Sequence, residues 1–157
     1  MHIFQFRSGH LQLLGKNVFT FAPTGAGKTL TFWIPLLFND NGIQILVTLL
    51  NLLGDKNVRE IAELFGISSV NVTAQTATDE LFKVKYCEIL IYPHLHWFQE
   101  IKALKYRVIV VNPELLMTHP WFRKLFKTSK FTSCLFNVTF DEGHCISQWG
   151  GDDFHPE

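Results

Sequence analysis

The stretch Val18-Phe19-Thr20-Phe21-Ala22-Pro23-Thr24-Gly25-Ala26-Gly27-Lys28-Thr29-Leu30-Thr31-Phe32-Trp33-Ile34 limits the possible folds more than any other part of the chain. A hydrophobic run reads as a buried strand, a glycine-bearing loop follows, and the loop runs straight into an apolar helix start. Ala22 to Thr29 has the pattern of a phosphate-binding loop, with Ala22 where the first glycine usually stands. Gly25 and Gly27 can take positive φ and let backbone N–H groups approach phosphate oxygens with no Cβ in the way. Thr24, Gly25, Ala26 and Gly27 are therefore candidate phosphate-binding positions. A helix beginning near Lys28 points its unpaired N–H groups and positive dipole end at the same anion. Lys28 can reach the outer phosphates, and the Thr29 hydroxyl can ligate Mg²⁺. The bland alternative, a glycine-rich turn with an exposed lysine, fits poorly with a strand before it and a helix after.

The 157 residues are one domain's worth of chain. Apolar residues make up 47% and aromatics 14%, with 15 Phe, so the composition is globular and the Phe residues read most simply as core. Fourteen basic residues balance fourteen acidic ones. A strongly basic nucleic-acid footprint is absent, and any nucleic-acid binding has to come from a local groove or loop. Cys87, Cys134 and Cys145 are scattered and odd in number, which points to a reducing compartment without a disulfide framework. The start, Met1-His2-Ile3-Phe4-Gln5-Phe6-Arg7, lacks the build of a signal peptide. The most apolar run, residues 43–53, is broken by Gln44, Thr48 and Asn51 and is too short to span a bilayer. A soluble, intracellular protein without a membrane partner is expected.

Strand-like runs at 18–21, 43–48, 70–73, 107–111 and 135–140 alternate with helix-like stretches, which predicts a parallel sheet covered by helices. Helices are expected to start at Lys28, near Gly54-Asp55, near Thr78-Asp79 and at Pro113, whose missing N–H suits a first turn. Pro35 should kink or shorten the helix after the loop. The run Val138-Thr139-Phe140 ends in the adjacent carboxylates Asp141-Glu142, at the edge of the sheet where α/β proteins place ligands. In a phosphate-loop enzyme Asp141 would complete the Mg²⁺ shell, and Glu142 would orient and deprotonate the attacking water. Adjacent acids after a strand are common on surfaces, so the pair gains its weight from the loop.

These motifs resemble the first RecA-like lobe of superfamily 2 helicases, and within them the RecQ family of DNA helicases. The loop at 22–29 looks like helicase motif I, and Asp141-Glu142-Gly143-His144 like the DEAH-type motif II. The sharpest match runs from Asp141 through Cys145-Ile146-Ser147-Gln148-Trp149-Gly150 to Asp153-Phe154-His155-Pro156, similar to the RecQ motif II and its aromatic-rich loop. Val47-Thr48-Leu49-Leu50 falls where motif Ia lies, Asn112-Pro113-Glu114 resembles the next family block, and Phe6-Arg7-Ser8-Gly9-His10 resembles the adenine-recognition motif. The resemblance implies a three-layer RecA-like lobe with a parallel sheet. It also implies ATP and Mg²⁺ as cofactors, single-stranded or partly duplex DNA as partner, and a nuclear or chromosomal setting in DNA repair and recombination. The implied activity is 3′-to-5′ ATP-dependent unwinding. Lys28, Asp141, Glu142 and His144 would be the catalytic set, and Arg7 and His10 would face the nucleotide base. Trp149, Phe154 and His155 would meet DNA, where stacking on an aromatic contributes about 1–3 kcal/mol per base.

Several positions depart from the family. His10 replaces the adenine-reading Gln, the segment from His10 to Gly15 is short, and Leu49 and Gly143 replace a Pro and an Ala. The aromatic loop carries one extra residue, and His155 stands for an Arg. Residues 84–97 have no family counterpart and read as an insertion, and the second lobe with its arginine finger is expected to lie outside residues 1–157. Cys87, His94 and His96 fit no standard zinc spacing, and Cys145 reads as a small buried side chain. Three other readings stay open. They are a non-enzymatic nucleotide- or DNA-binding remnant, a different phosphate-loop enzyme such as a small-molecule kinase, and a lobe completed by a partner lobe in trans.

Overall fold

The computed structural model describes residues 2–74 and 96–143. Four parallel strands, β1 (Ile43–Val47), β2 (Ser69–Val72), β3 (Val108–Val111) and β4 (Leu135–Phe140), form a sheet in the order β2-β3-β1-β4. Parallel strands need crossovers that cover both faces, so central strands lose their solvent side and become apolar throughout. Every residue of β1 and β3 is buried accordingly. On one face Leu46, Val108 and Val110 pack with Trp33 and Leu36 of α2 (Leu30–Leu37) and with Ile61 of α3 (Asn51–Phe65). On the other, Ile45, Val47, Ile109 and Val111 pack with Ile101 of α4 (His96–Lys102), Leu115 of α5 (Pro113–Thr118), Trp121 and Phe122 of α6 (Pro120–Leu125), and Phe131 of α7 (Ser129–Thr132). The expected three-layer α/β lobe with a parallel sheet is thus present.

Local chemistry explains the element ends. Pro113 opens α5 as expected, and the Asn112 side chain accepts from the Leu115 N–H at 2.7 Å as its cap. Helix α3 starts at Asn51, ahead of the expected Gly54. The glycine serves the packing of helix on sheet. A Cβ at Gly54 would lie 2.6 Å from the side chain of Asn71 on β2, which donates to the Asp55 carboxylate at 2.9 Å. The Arg107 guanidinium donates to the Leu36 carbonyl at 2.9 Å and to that of Asn39, tying the end of α2 to the start of β3.

Helix α2 ends two residues after Pro35, as the proline dictates. Proline has no N–H for the carbonyl one turn earlier, that of Thr31. Gln12 of α1 (Ile3–Leu13) supplies the donor instead, Nε2 to the Thr31 oxygen at 3.0 Å. Its Oε1 accepts from Asn137 of β4 at 2.6 Å. One amide therefore joins α1, α2 and β4.

The expected strand at 18–21 is not in the sheet. Ser8 of α1 holds the Thr20 hydroxyl at 2.9 Å, so this extended stretch lies on α1, while Phe19 and Phe21 are 86% and 95% exposed. Residues 18–21 line a cleft together with Phe4, Arg7, Ser8 and Leu11 of the helix. Several Phe residues are not core, Phe6 and Phe38 among them besides Phe19 and Phe21. The expected helix start near Thr78-Asp79 lies outside the described residues, as do residues 84–95 of the expected insertion; its last two residues open α4.

Gln12→Ala should lower the unfolding free energy by about 1–3 kcal/mol, the cost of leaving partly buried partners unpaired. Urea titration of the chain checks this, and an unchanged midpoint would remove Gln12 from the account.

Candidate active site

The loop between the extended stretch and α2 takes the form its glycines permit. Gly25 and Gly27 have φ of +81° and +77°, where a side chain would be strained. The Ala26 N–H closes a turn onto the Pro23 carbonyl at 3.2 Å. Leu30, Thr31 and Phe32 donate back to Gly27, Lys28 and Thr29, so the helical winding begins inside the loop. The N–H groups of Gly27, Lys28 and Thr29 have no hydrogen-bond partner among the described residues, the arrangement an anion can use. The half-buried Lys28 folds over the loop, and its Nζ donates to the Ala22 carbonyl at 2.9 Å.

Asp141 and Glu142 follow β4 at the carboxyl edge of the sheet, and the Asp141 N–H donates to the Val47 carbonyl at 2.9 Å. Burial is the main influence on the Asp141 carboxyl and raises its pKa, and the neighbouring Glu142 charge raises it further. The Glu142 backbone N–H, Lys28 and Lys56 oppose this but do not cancel it. The charge of Lys28 on the loop thus acts on Asp141. Glu142 is exposed and holds φ at +58°, an uncommon conformation for a residue with a Cβ.

These groups fit a Mg²⁺-nucleotide. Mg²⁺ takes hard oxygen ligands, commonly one or two carboxylates together with substrate phosphates. Asp141 is a half-buried carboxylate whose charge its neighbours leave undercompensated, and Thr29, at the N-cap of α2, offers a hydroxyl. No cluster of three or more His, Cys, Asp or Glu side chains suited to a metal occurs among the described residues, so phosphates and water would complete such a shell.

The other expected site residues are more scattered. Arg7 is exposed on α1 and lines a shallow cleft of about 220 Å³ between that helix and residues 18–21. His10 is exposed and is not part of that lining. His144, Trp149, Phe154 and His155 lie outside the described residues. Two residues beside the site were not anticipated. Lys56 of α3 acts on Asp141, and Gln5 of α1 donates from Nε2 to the Gly27 carbonyl at 2.9 Å. Gln5, Ser8 and Gln12 recur at helical spacing, a polar seam that could have marked a helix face turned toward other backbone.

Residues 4–156 match the DEAD/DEAH box helicase family. The chain belongs to that family. It is 28% identical over 157 residues to "ATP-dependent DNA helicase Q1" of Pongo abelii, covering 98% of this chain and 21% of that protein. It is 28% identical over 145 residues to "ATP-dependent DNA helicase Q-like 4B" of Arabidopsis thaliana, covering 91% and 11%. "ATP-dependent DNA helicase RecQ" of Pasteurella multocida is 28% identical over 146 residues, covering 92% and 20%. The similarity to RecQ-type helicases thus extends over nearly the whole chain, which fits a first-lobe fragment, while this helicase-family chain spans at most about a fifth of those three relatives. No described helix is long and apolar enough to cross a membrane.

The raised Asp141 pKa has a definite sign in stability. The native state binds this proton more tightly than the unfolded chain, so the stability it adds is complete below the unfolded value and is lost as pH rises through the raised native value. Asp141→Asn has no such loss. Its stability relative to wild type should climb as pH rises from about 3 toward neutrality and then level off. Thermal melts across that range without Mg²⁺ test it, and a difference that shrinks with rising pH would contradict the assignment.

Proposed function

We propose that residues 1–157 form the nucleotide-binding first lobe of a RecQ-type helicase that couples ATP hydrolysis to 3′-to-5′ movement on single-stranded or partly duplex DNA. The observation that carries this reading is the positive-φ loop, with its N–H groups unpartnered among the described residues and with Lys28, whose charge acts on Asp141 at the end of β4. In this reading Thr24 to Gly27 cradle the phosphates, and Lys28 leaves the Ala22 carbonyl for the outer phosphates. Thr29 and Asp141 would hold Mg²⁺, which when bound supplies positive charge to the transferring phosphoryl group. Glu142 would orient the attacking water and take its proton, and Arg7 with His10 would face the base. His144 would couple the lobes, with Trp149, Phe154 and His155 meeting DNA. The names of the relatives support ATP and DNA as ligands, and a chromosomal setting in repair and recombination is part of the same proposal. A second reading, a nucleotide-binding remnant without turnover, is favoured by residues 18–21 lying on α1 instead of in the sheet.

Lys28→Ala should weaken ATP binding tenfold or more, about 1.4 kcal/mol or above, because it removes a ligand group and not a core contact. The melting temperature should hold, since among the described residues Nζ bonds only the Ala22 carbonyl. Calorimetric titration decides: equal affinity in both proteins sinks the reading.

Residues 1–157 alone should hydrolyse ATP only at a background rate and should not separate strands. Helicase motion needs two lobes that close on nucleotide and reopen, and an arginine finger contributes about 10³ to 10⁵ in rate. The assay is ATP turnover and strand separation with and without DNA. DNA-stimulated turnover that disappears in Glu142→Gln would mean that a second lobe is supplied by another copy. ATP binding with no turnover even beside a supplied second lobe would favour the remnant.

A further inference from the structure

We infer that Gln5 is a positioning residue for the phosphate loop: its buried side-chain amide fixes the peptide planes that aim the Gly27 and Lys28 N–H groups. This rests on the nucleotide-site reading above. Gln5 is 2% exposed, a rare environment for a primary amide, and both ends of the amide are used. Its Oε1 accepts from the His2 backbone N–H at 2.7 Å, which leaves Nε2 as the end that faces the loop. Nε2 donates to the Gly27 carbonyl at 2.9 Å and lies 3.4 Å from that of Ala26. His10, and not Gln5, occupies the position of the family's adenine-reading Gln, so this contact belongs to a different residue and a different ligand part.

The geometry of the trans peptide gives the contact its consequence. The C=O and N–H of one peptide unit point in opposite directions. Holding the Gly27 oxygen toward α1 therefore turns the Lys28 N–H away from α1, and the weaker hold on the Ala26 oxygen does the same for the Gly27 N–H. Both belong to the N–H groups without a partner among the described residues. The Gly27 carbonyl also accepts from Leu30 at 3.2 Å, so the same oxygen joins the loop to the first turn of α2. Gly27 is a glycine for a second reason besides its φ of +77°: a Cβ there would stand 2.6 Å from Nε2 and push Gln5 out.

Gln5→Glu keeps the length and the acceptor but removes the donor and sets a carboxylate against two carbonyls. The experiment titrates wild-type and Gln5→Glu chains with ATP, inorganic triphosphate and adenosine, following the amide signals of Gly27 and Lys28 by NMR. Affinity for ATP and for triphosphate should fall by the same factor, tenfold or more, while adenosine binding stays as in wild type. Equal losses for adenosine and triphosphate would mark a merely structural role and overturn the inference. If wild type binds ATP and Gln5→Glu binds it as tightly, the inference falls and the site reading stands. A wild-type chain that ignores ATP and triphosphate overturns both. Should Gln5→Glu fail to fold, the wild-type protein still answers. The Gln5 side-chain amide should exchange slowly with solvent and show coupling across the hydrogen bond to the Gly27 carbonyl, and free exchange would overturn the assignment.

Discussion

Parallel strands cannot keep a face in water, because each crossover lays a helix across the sheet. In this chain the requirement falls hardest on β1 and β3, whose nine residues are all buried. Their backbone polar groups have the ladder as their main outlet, and their side chains must be apolar or individually paired. Gln44 meets this only in part, since its buried Oε1 has no hydrogen-bond partner among the described residues. It is the polar residue inside β1, and its Nε2 is taken by the Thr139 hydroxyl of β4 at 2.8 Å. The covered sheet then fixes where strand ends can be approached. The carboxyl edge, where β4 delivers Asp141 and Glu142, remains accessible to a loop.

Helix α1 adds the second organising contact. Its polar seam reaches the loop through Gln5, the extended stretch through Ser8 and the sheet through Gln12. The glycine loop is therefore braced from outside the sheet as well as by its own turns. Bracing of this kind matters for anion binding, because N–H groups already held in place lose less entropy when the ligand arrives.

The strands at 43–47, 69–72, 108–111 and 135–140 were legible to within about a residue at each end, because an apolar run bounded by polar residues has few other uses. The loop and its two positive-φ glycines were legible for the same reason: few residue types tolerate that backbone. Residues 18–21 were misjudged because β-propensity describes a fit to a half-buried pleated surface and says nothing of which surface is within reach. Here the Ser8–Thr20 contact holds the segment to α1. Gly54 suggested a helix start, and its actual reason, room for Asn71 from another element, is a tertiary fact. Gln5 escaped notice for a related reason. A glutamine on a helix reads as solvent-facing until the backbone it serves has been placed.

The tie between Gln12 and Asn137 joins residues 125 apart in sequence, and the Gln44–Thr139 pair spans 95. The strand that completes the polar seam is thus made after the other three described strands during synthesis. Until β4 emerges, β1 has one neighbour at most, and that neighbour, β3, itself begins at Val108. Contacts of such range require loop closure before they return stabilisation, so the topology favours slow folding with the apolar β1 exposed on the way. The carboxylate-bearing strand is therefore also the clasp of the sheet, and a nascent chain stopped ahead of Leu135 would leave the otherwise fully buried β1 open on one side to non-native pairing.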